Sequence, residues 1–328
     1  MSPSSGKLRV FELCSGTNAL GLGAEQAGFE VVGTAEVAKD ARLLSFLNTG
    51  RHPLGDIRKL KGTDFPEAEV AGAGSSCKGF SHVGKRQGFA HPEGDLILHC
   101  IRIASERGVK AIVTENVEGL TNHENGKTLE VINETLIRHG YTPFAGRILR
   151  ASDFACATTR PRWFAVSFQA GLNVAPLEWP TPKSPPVNLR SVLLPDHLVE
   201  NLYINGSTFV QEGPKKLRTD PYAALRVGYL AKDYPDRRVY SIDAPAPTFL
   251  AGMGGPGGPS RMYLMDNGRV RRLASKEMLA AMGYPSGFRM PFDSFRAGKL
   301  IGNAICPPVA KAVMAMTYKA ITGMEPPQ

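Results

Sequence analysis

Val70-Ala71-Gly72-Ala73-Gly74-Ser75-Ser76-Cys77-Lys78-Gly79-Phe80-Ser81 runs from a short apolar segment into small residues with one cysteine among them. The pattern predicts a buried strand ending in a tight loop with a thiol at its tip. Forty residues on, Ala111-Ile112-Val113 predicts a second strand, and Thr114-Glu115-Asn116-Val117 ends it with a carboxylate and an amide. Groups at the carboxyl ends of strands in one open sheet face a common crevice. Cys77 and Glu115 are expected to serve one reaction, as nucleophile and acid partner.

The chain before this stretch repeats the strand-loop-helix plan. Leu8-Arg9-Val10-Phe11-Glu12-Leu13 predicts a buried first strand, and Cys14 to Gly23 a loop of small residues opening a helix through Gly28. That is a nucleotide-type binding turn, weak alone because it has Gly16-Thr17-Asn18 where a double glycine would be stronger. A second strand over Glu30–Glu36 ends in a carboxylate about 20 residues after the turn, the spacing for a ribose diol. Asp56 opens a further loop, where it either accepts from an adenine amino group or caps a turn. Helices are expected over Gly94–Ala104 and Lys127–His139, the latter stopped by Gly140. Thr159-Arg160-Pro161-Arg162 sets two arginines before the strand Trp163–Val166. This alternation predicts a mainly parallel sheet with helices on both faces.

After Gly171 proline becomes frequent and periodicity fades, which marks a second, irregular, β-containing region. Thr248–Ser260 is rich in Gly and Pro, a sharp loop or a linker. Ser275 is a candidate cap for a helix reaching Met282, and a closing helix is expected from Val309 to Thr322. No internal repeat is present.

Of the 328 residues, 42% are hydrophobic and 21% charged, as in a globular protein. No apolar run approaches the roughly 20 residues of a membrane span, and the polar start Met1–Lys7 predicts no secretory leader. The cysteines at 14, 77, 100, 156 and 306 form no CxxC pair, which speaks against a disulfide framework or a zinc site and for a reducing compartment. The net charge of +9 favours a polyanionic partner. Residues 251–310 hold eight Lys/Arg against three Asp/Glu, so the excess is concentrated there.

The ordered series of motifs resembles the DNA cytosine-5 methyltransferase family. It comprises the turn at 12–23, Glu36, Asp56, the Cys77 loop, Glu115-Asn116-Val117, Arg160-Pro161-Arg162, Pro245-Ala246-Pro247-Thr248, Arg272-Leu273 with Glu277 and Gly283-Tyr284-Pro285, and Gly302-Asn303-Ala304. Each motif alone is weak, the series is specific, and it spans Phe11 to about Ile321.

The resemblance implies a Rossmann-like α/β fold: a doubly wound, mainly parallel sheet with a smaller irregular β-containing target-recognition domain. The catalytic domain would be 1–170 plus 295–328, and the DNA-binding domain 171–294. It further implies that the Cys77 thiolate adds to C6 of a cytosine flipped out of the duplex, making C5 nucleophilic, while Glu115 bonds the base edge and Arg160 and Arg162 support both groups. The methyl donor would be S-adenosylmethionine, held by Phe11, Cys14, Ser15, Gly16, Thr17, Asn18, Ala19, Glu36, Val37, Asp56, Ile57, Gly74, Asn303 and Ala304. Lys78, Ser81, Arg261, Arg271, Arg272 and Lys276 would contact double-stranded DNA. A monomer without metal is expected, in the cytoplasm of a prokaryote or encoded by a phage, as in restriction-modification systems.

Three departures from the family pattern stand out. Ser76-Cys77-Lys78 stands where the family has Pro-Cys-Gln, Thr158 replaces the glutamine before Arg160, and Cys14 replaces an aromatic residue. A widened pocket with Lys78 nearby would suit a carboxylated S-adenosylmethionine yielding carboxymethylcytosine. A DNA-binding relative without turnover is a second alternative, which the intact Cys77, Glu115 and Arg162 oppose. A tRNA methyltransferase of the same fold is a third, opposed by the long second region and the lack of a Cys-Phe-Thr signature.

Overall fold

A computed structural model of the chain describes residues 7–75, 93–181, 185–216, 223–231, 238–251 and 261–327. The Cys77 loop with Lys78 and Ser81, and the Gly-rich segment 252–260, lie outside the described residues. The chain divides into two compact units. The first is Met1–Leu149, Pro161–Thr181 and Val309–Gln328; the second is Arg150–Arg160 and Pro182–Pro308. Residues 150–160 and 295–308, placed by sequence with the catalytic domain, thus cluster with the second unit.

The first unit is built from β1 (Arg9–Leu13), α1 (Ala19–Gln26), β2 (Glu30–Ala35), α2 (Lys39–Thr49), β3 (Val70–Ala73), α3 (Leu96–Arg107), β4 (Ala111–Asn116), α4 (Lys127–Arg138), β5 (Ala145–Arg150) and β6 (Pro161–Phe168). Its sheet runs β2-β1-β3-β4-β6-β5. The pairs β1/β2, β1/β3 and β3/β4 are parallel, and β4/β6 is antiparallel. The α/β expectation holds, with an antiparallel turn at β6. From β1 the chain moves outward to β2 and then crosses to β3 on the other side of β1. That reversal opens a crevice at the carboxyl ends of β1 and β3, where ligands of open α/β sheets bind.

The apolar face of α3 carries Ile97, Cys100, Ile101 and Ala104 at helical spacing, and it packs with Phe11, Leu13, Ala73, Ile112 and Trp163 into one core.

The second unit contains β7 (Thr208–Lys216), β8 (Leu225–Ala231), β9 (Arg238–Ser241), β10 (Met262–Leu264), β11 (Val270–Arg271), α5 (Ser275–Ala281) and α6 (Ser294–Asn303). Its sheet, ordered β11-β10-β9-β8-β7, packs Leu230, Val239, Met262 and Val270. Ser275 is the first helical residue of α5 rather than its cap. The capping position is Ala274, whose N–H donates to the Glu277 carboxylate at 2.7 Å.

α7 (Pro307–Thr322) then closes the chain, opening on two prolines, which have no N–H to leave unmatched in its first turn. Its residues from Val309 onward belong to the first unit. A Cβ on Gly23 would lie 2.6 Å from Ala310, so α1 and α7 approach at backbone distance and only glycine fits. Phe29 meets Tyr318 edge-on at 5.5 Å. Ser294–Thr322 is long and apolar enough to cross a membrane, contrary to the sequence expectation, yet most of it is buried inside the protein and it is broken between α6 and α7.

Candidate active site

The turn after β1 is wound tightly. Ser15 N–H donates to Ala35 O, and Asn18 N–H donates to Ser15 O at 2.7 Å. Cys14, Gly16 and Asn18 all have left-handed backbones, with φ of 53°, 51° and 57°. For Cys14 and Asn18 that geometry is strained, and such strain gathers at ligand sites. Glu36, at the end of β2, ties this turn to the next. Its Oε2 accepts from Gly16 N–H at 2.8 Å, and its Oε1 accepts from the N–H groups of Val37 and Ala38. A carboxylate has about four acceptor sites, so one remains for a hydroxyl.

These residues suit a polar ligand. Ser15 Oγ and Asn18 Oδ1 are buried with no hydrogen-bond partner among the described residues, a costly state unless a bound group satisfies them. Nothing lies within 4 Å of where a Gly16 Cβ would stand, so the turn has an open side. Val37 is 61% exposed at the adjoining strand end.

Three expected donor contacts resolve differently. Phe11 is fully buried and stacks on Phe65 at 4.6 Å, so its side chain belongs to the core. The Ile57 side chain is also core, leaving only its main chain to meet a ligand. Cys14 is turned toward the core side of the turn. Its thiol is free and hydrogen-bonds with that of Cys100, and that hydrogen bond, then burial, then the Glu36 and Asp56 carboxylates push its pKa well above the usual thiol range. Asp56 caps its own turn, accepting from Arg58 N–H at 3.0 Å, while remaining partly exposed. Thr17 and Ala19 are buried in the turn and at the start of α1. In the second unit, Asn303 is exposed at the end of α6, and the Ala304 carbonyl accepts from Arg160.

Beneath the turn sits a carboxyl that sequence reading passed over. Glu12 is 1% exposed and its Oε2 accepts from Gly21 N–H at 3.1 Å. Burial foremost, with the Glu36 charge adding, pushes its pKa up to about 8. A carboxyl raised from its unfolded value favours folding fully below about pH 4.5, and that contribution is lost as pH climbs toward 8. Glu12→Gln is expected to flatten the decline of Tm between pH 5 and 8, where each pKa unit represents roughly 1.4 kcal/mol. Parallel Tm–pH curves for the two proteins would refute this role.

Across the crevice, β4 delivers Glu115 and Asn116. Glu115 is 7% exposed, and Arg162 at the start of β6 places its Nε 3.1 Å from Glu115 Oε1. The antiparallel register sets Glu115 opposite Phe164, which brings Arg162 to the same strand end. The Arg162 fork also donates to Pro161 O at 2.8 Å. Gly74 N–H bonds Leu13 O at 3.2 Å, so the residue leaving β3 is held against β1. Asn116 Nδ2 donates to both Ser75 O and Ser75 Oγ at 3.3 Å.

Arg160 and Arg162 part company. Arg160 is 2% exposed in the second unit, where its guanidinium donates to the carbonyls of Phe249, Gly302 and Ala304. It clamps main chain rather than meeting a base. Arg271 also differs from expectation. It is fully buried in a two-bond ion pair with Glu277, at 2.8 and 2.9 Å, so it offers no charge to phosphate. Lys276 is exposed on α5, and Arg261 and Arg272 are half-buried. No cluster of metal-ligating side chains occurs among the described residues.

The Gly74-Ser75 segment leaving β3, a buried glutamate with its arginine, and a tight turn with unmatched polar groups all arise from strand ends of one sheet. The family model for C-5 cytosine-specific DNA methylase matches residues 8–319. The chain belongs to the C-5 cytosine-specific DNA methylase family. It is an enzyme that methylates cytosine C5 in DNA, and the family is S-adenosylmethionine-dependent. The Type II methyltransferase M.HhaI of Haemophilus parahaemolyticus is 32% identical over 91% of this chain and 90% of its own length. M.HaeII of Haemophilus aegyptius is 30% identical over 93% and 91%. The S. pombe Dnmt2 methyltransferase structure superposes with a TM-score of 0.68 at 18% identity, covering 93% of this chain and 97% of that one, and at that identity it speaks for the fold alone.

Proposed function

We propose that this methyltransferase works through a covalent Cys77 adduct on a cytosine flipped out of double-stranded DNA. The Arg162–Glu115 pair carries the reading, because it holds a carboxylate beside the strand end that leads to the thiol. Cys77 adds as thiolate to C6, and the electron pair moves toward C5. Glu115, as its carboxylic acid, donates its proton to N3 and accepts from the exocyclic amine, so the negative charge that thiolate addition drives onto the ring is neutralised. Arg162 keeps the carboxylate oriented toward the base. After methylation the C5 proton passes to a base, and elimination restores the thiol.

Ser15, Gly16, Asn18, Glu36 and the main chain at Val37 and Ile57 would hold S-adenosylmethionine, whose bound form supplies an electrophilic methyl group. Plain S-adenosylmethionine is read as the donor because it is the family's donor. The second unit grips DNA with Lys276, Arg261 and Arg272 on phosphate, and the enzyme acts as a cytoplasmic monomer.

A duplex carrying 5-fluorocytosine tests the mechanism, because fluorine at C5 cannot leave as a proton and the adduct persists. The wild-type enzyme with donor is expected to give a denaturation-resistant complex whose DNA peptide maps to Cys77, and Cys77→Ser none. Free DNA after incubation would overturn the covalent mechanism. Nucleoside mass after reaction on plain DNA distinguishes methyl from carboxymethyl products.

A further inference from the structure

The backbone ladder between β3 and β4 ends at Ala73 opposite Thr114. Side chains then continue it. Thr114 Oγ1 donates to Ala73 O at 3.1 Å, and two residues on, Asn116 Nδ2 donates to Ser75 O and Ser75 Oγ. Asn116 is itself fixed, since its Oδ1 accepts from Val117 N–H at 2.9 Å. Ser75 and Asn116 are 5% and 1% exposed, so water does not compete for these bonds. Glu115, between Thr114 and Asn116, points to the opposite face of the strand. One strand end thus presents the carboxylate on one side and grips the approach to the thiol on the other.

We infer that Ser75 is a positioning residue for Cys77: its hydroxyl and carbonyl, held by Asn116, set the origin from which the thiol reaches C6. The inference rests on the covalent reading of Cys77. Ser76 stands where a proline would restrict φ before the nucleophile. The Ser75–Asn116 latch replaces that restriction with two side-chain bonds one residue earlier. Displacing a reacting atom by about 1 Å costs on the order of 100-fold in rate, so a latch this close to the thiol acts on kcat before it acts on binding.

The test compares wild type, Ser75→Ala and Ser75→Thr in single-turnover trapping on a 5-fluorocytosine duplex, with donor affinity measured by calorimetry. Ser75→Ala is expected to slow adduct formation about 10-fold with donor affinity within about twofold of wild type. Ser75→Thr, which keeps the hydroxyl, is expected to recover most of the rate. Trapping by Ser75→Ala at the wild-type rate would overturn the inference. So would a threonine variant as slow as alanine, or donor affinity falling in step with trapping. Failure of the wild type to trap DNA would strike the Cys77 reading instead.

Discussion

Glu115→Gln is expected to lower kcat for DNA methylation by about 100- to 1,000-fold, within the range of a positioned acid–base group. The amide retains the shape and still accepts from the cytosine amine, but it no longer carries negative charge or a proton for N3. It also dissolves the ion pair with Arg162, whose Nε lies 3.1 Å from the carboxylate. Because Glu115 lies on β4 while the donor turn follows β1, donor affinity should stay near wild type. Arg162→Ala should lose part of the same rate and add little to Glu115→Gln in the double variant, as expected when two residues act as a unit. Steady-state kinetics on a methylatable duplex measures all three. A Glu115→Gln enzyme within threefold of wild type would remove Glu115 from the chemistry.

The second large effect concerns folding. Glu277→Ala is expected to reduce the unfolding free energy by about 3–5 kcal/mol, the usual result of leaving one partner of a buried ion pair alone. The Glu277 carboxylate takes two bonds from Arg271 and one each from the main-chain N–H groups of Leu194 and Ala274. Removing it strands a guanidinium at 0% exposure. The paired change Arg271→Met with Glu277→Leu should recover much of the loss. Urea unfolding gives the free energies, and a loss below 1 kcal/mol for Glu277→Ala would contradict the burial. The paired variant should also keep the wild-type slope of DNA affinity against salt, whereas Lys276→Ala lowers it by about one phosphate contact.

Arg271 marks where sequence stops being informative. A basic run with a glutamate six residues on reads as a charged surface, and only the fold reveals that Arg271 and Glu277 meet in the interior. Phe11 and Ile57 misled in the other direction. Both flank donor-turn residues in sequence, but alternation along β1 turns Phe11 into the core, and Ile57 joins the same cluster. The parts that were legible are local: the small-residue turn after β1, a carboxylate at the end of β2, an acid and amide at the end of β4. Glu12 and Ser75 were not, because their meaning depends on partners brought from elsewhere, Gly21 from α1 and Asn116 from 41 residues away. Arg160 and Arg162 are two residues apart in sequence and serve different units, one clamping carbonyls and the other holding Glu115.

The route of the chain through its first unit has a consequence for how the enzyme comes into being. Residues 1–149 and 161–181 leave the ribosome long before Val309–Thr322, yet Gly23 and Phe29 are shaped to receive Ala310 and Tyr318. Translation at roughly 5–20 residues per second imposes a wait on the order of 10–30 s between the sheet and its last helix. During that interval α1 lacks a partner along one flank, and the turn it supports has no finished frame. The first unit is therefore completed only when the last helix has been made, and Gly23 and Phe29 keep the place for it until then.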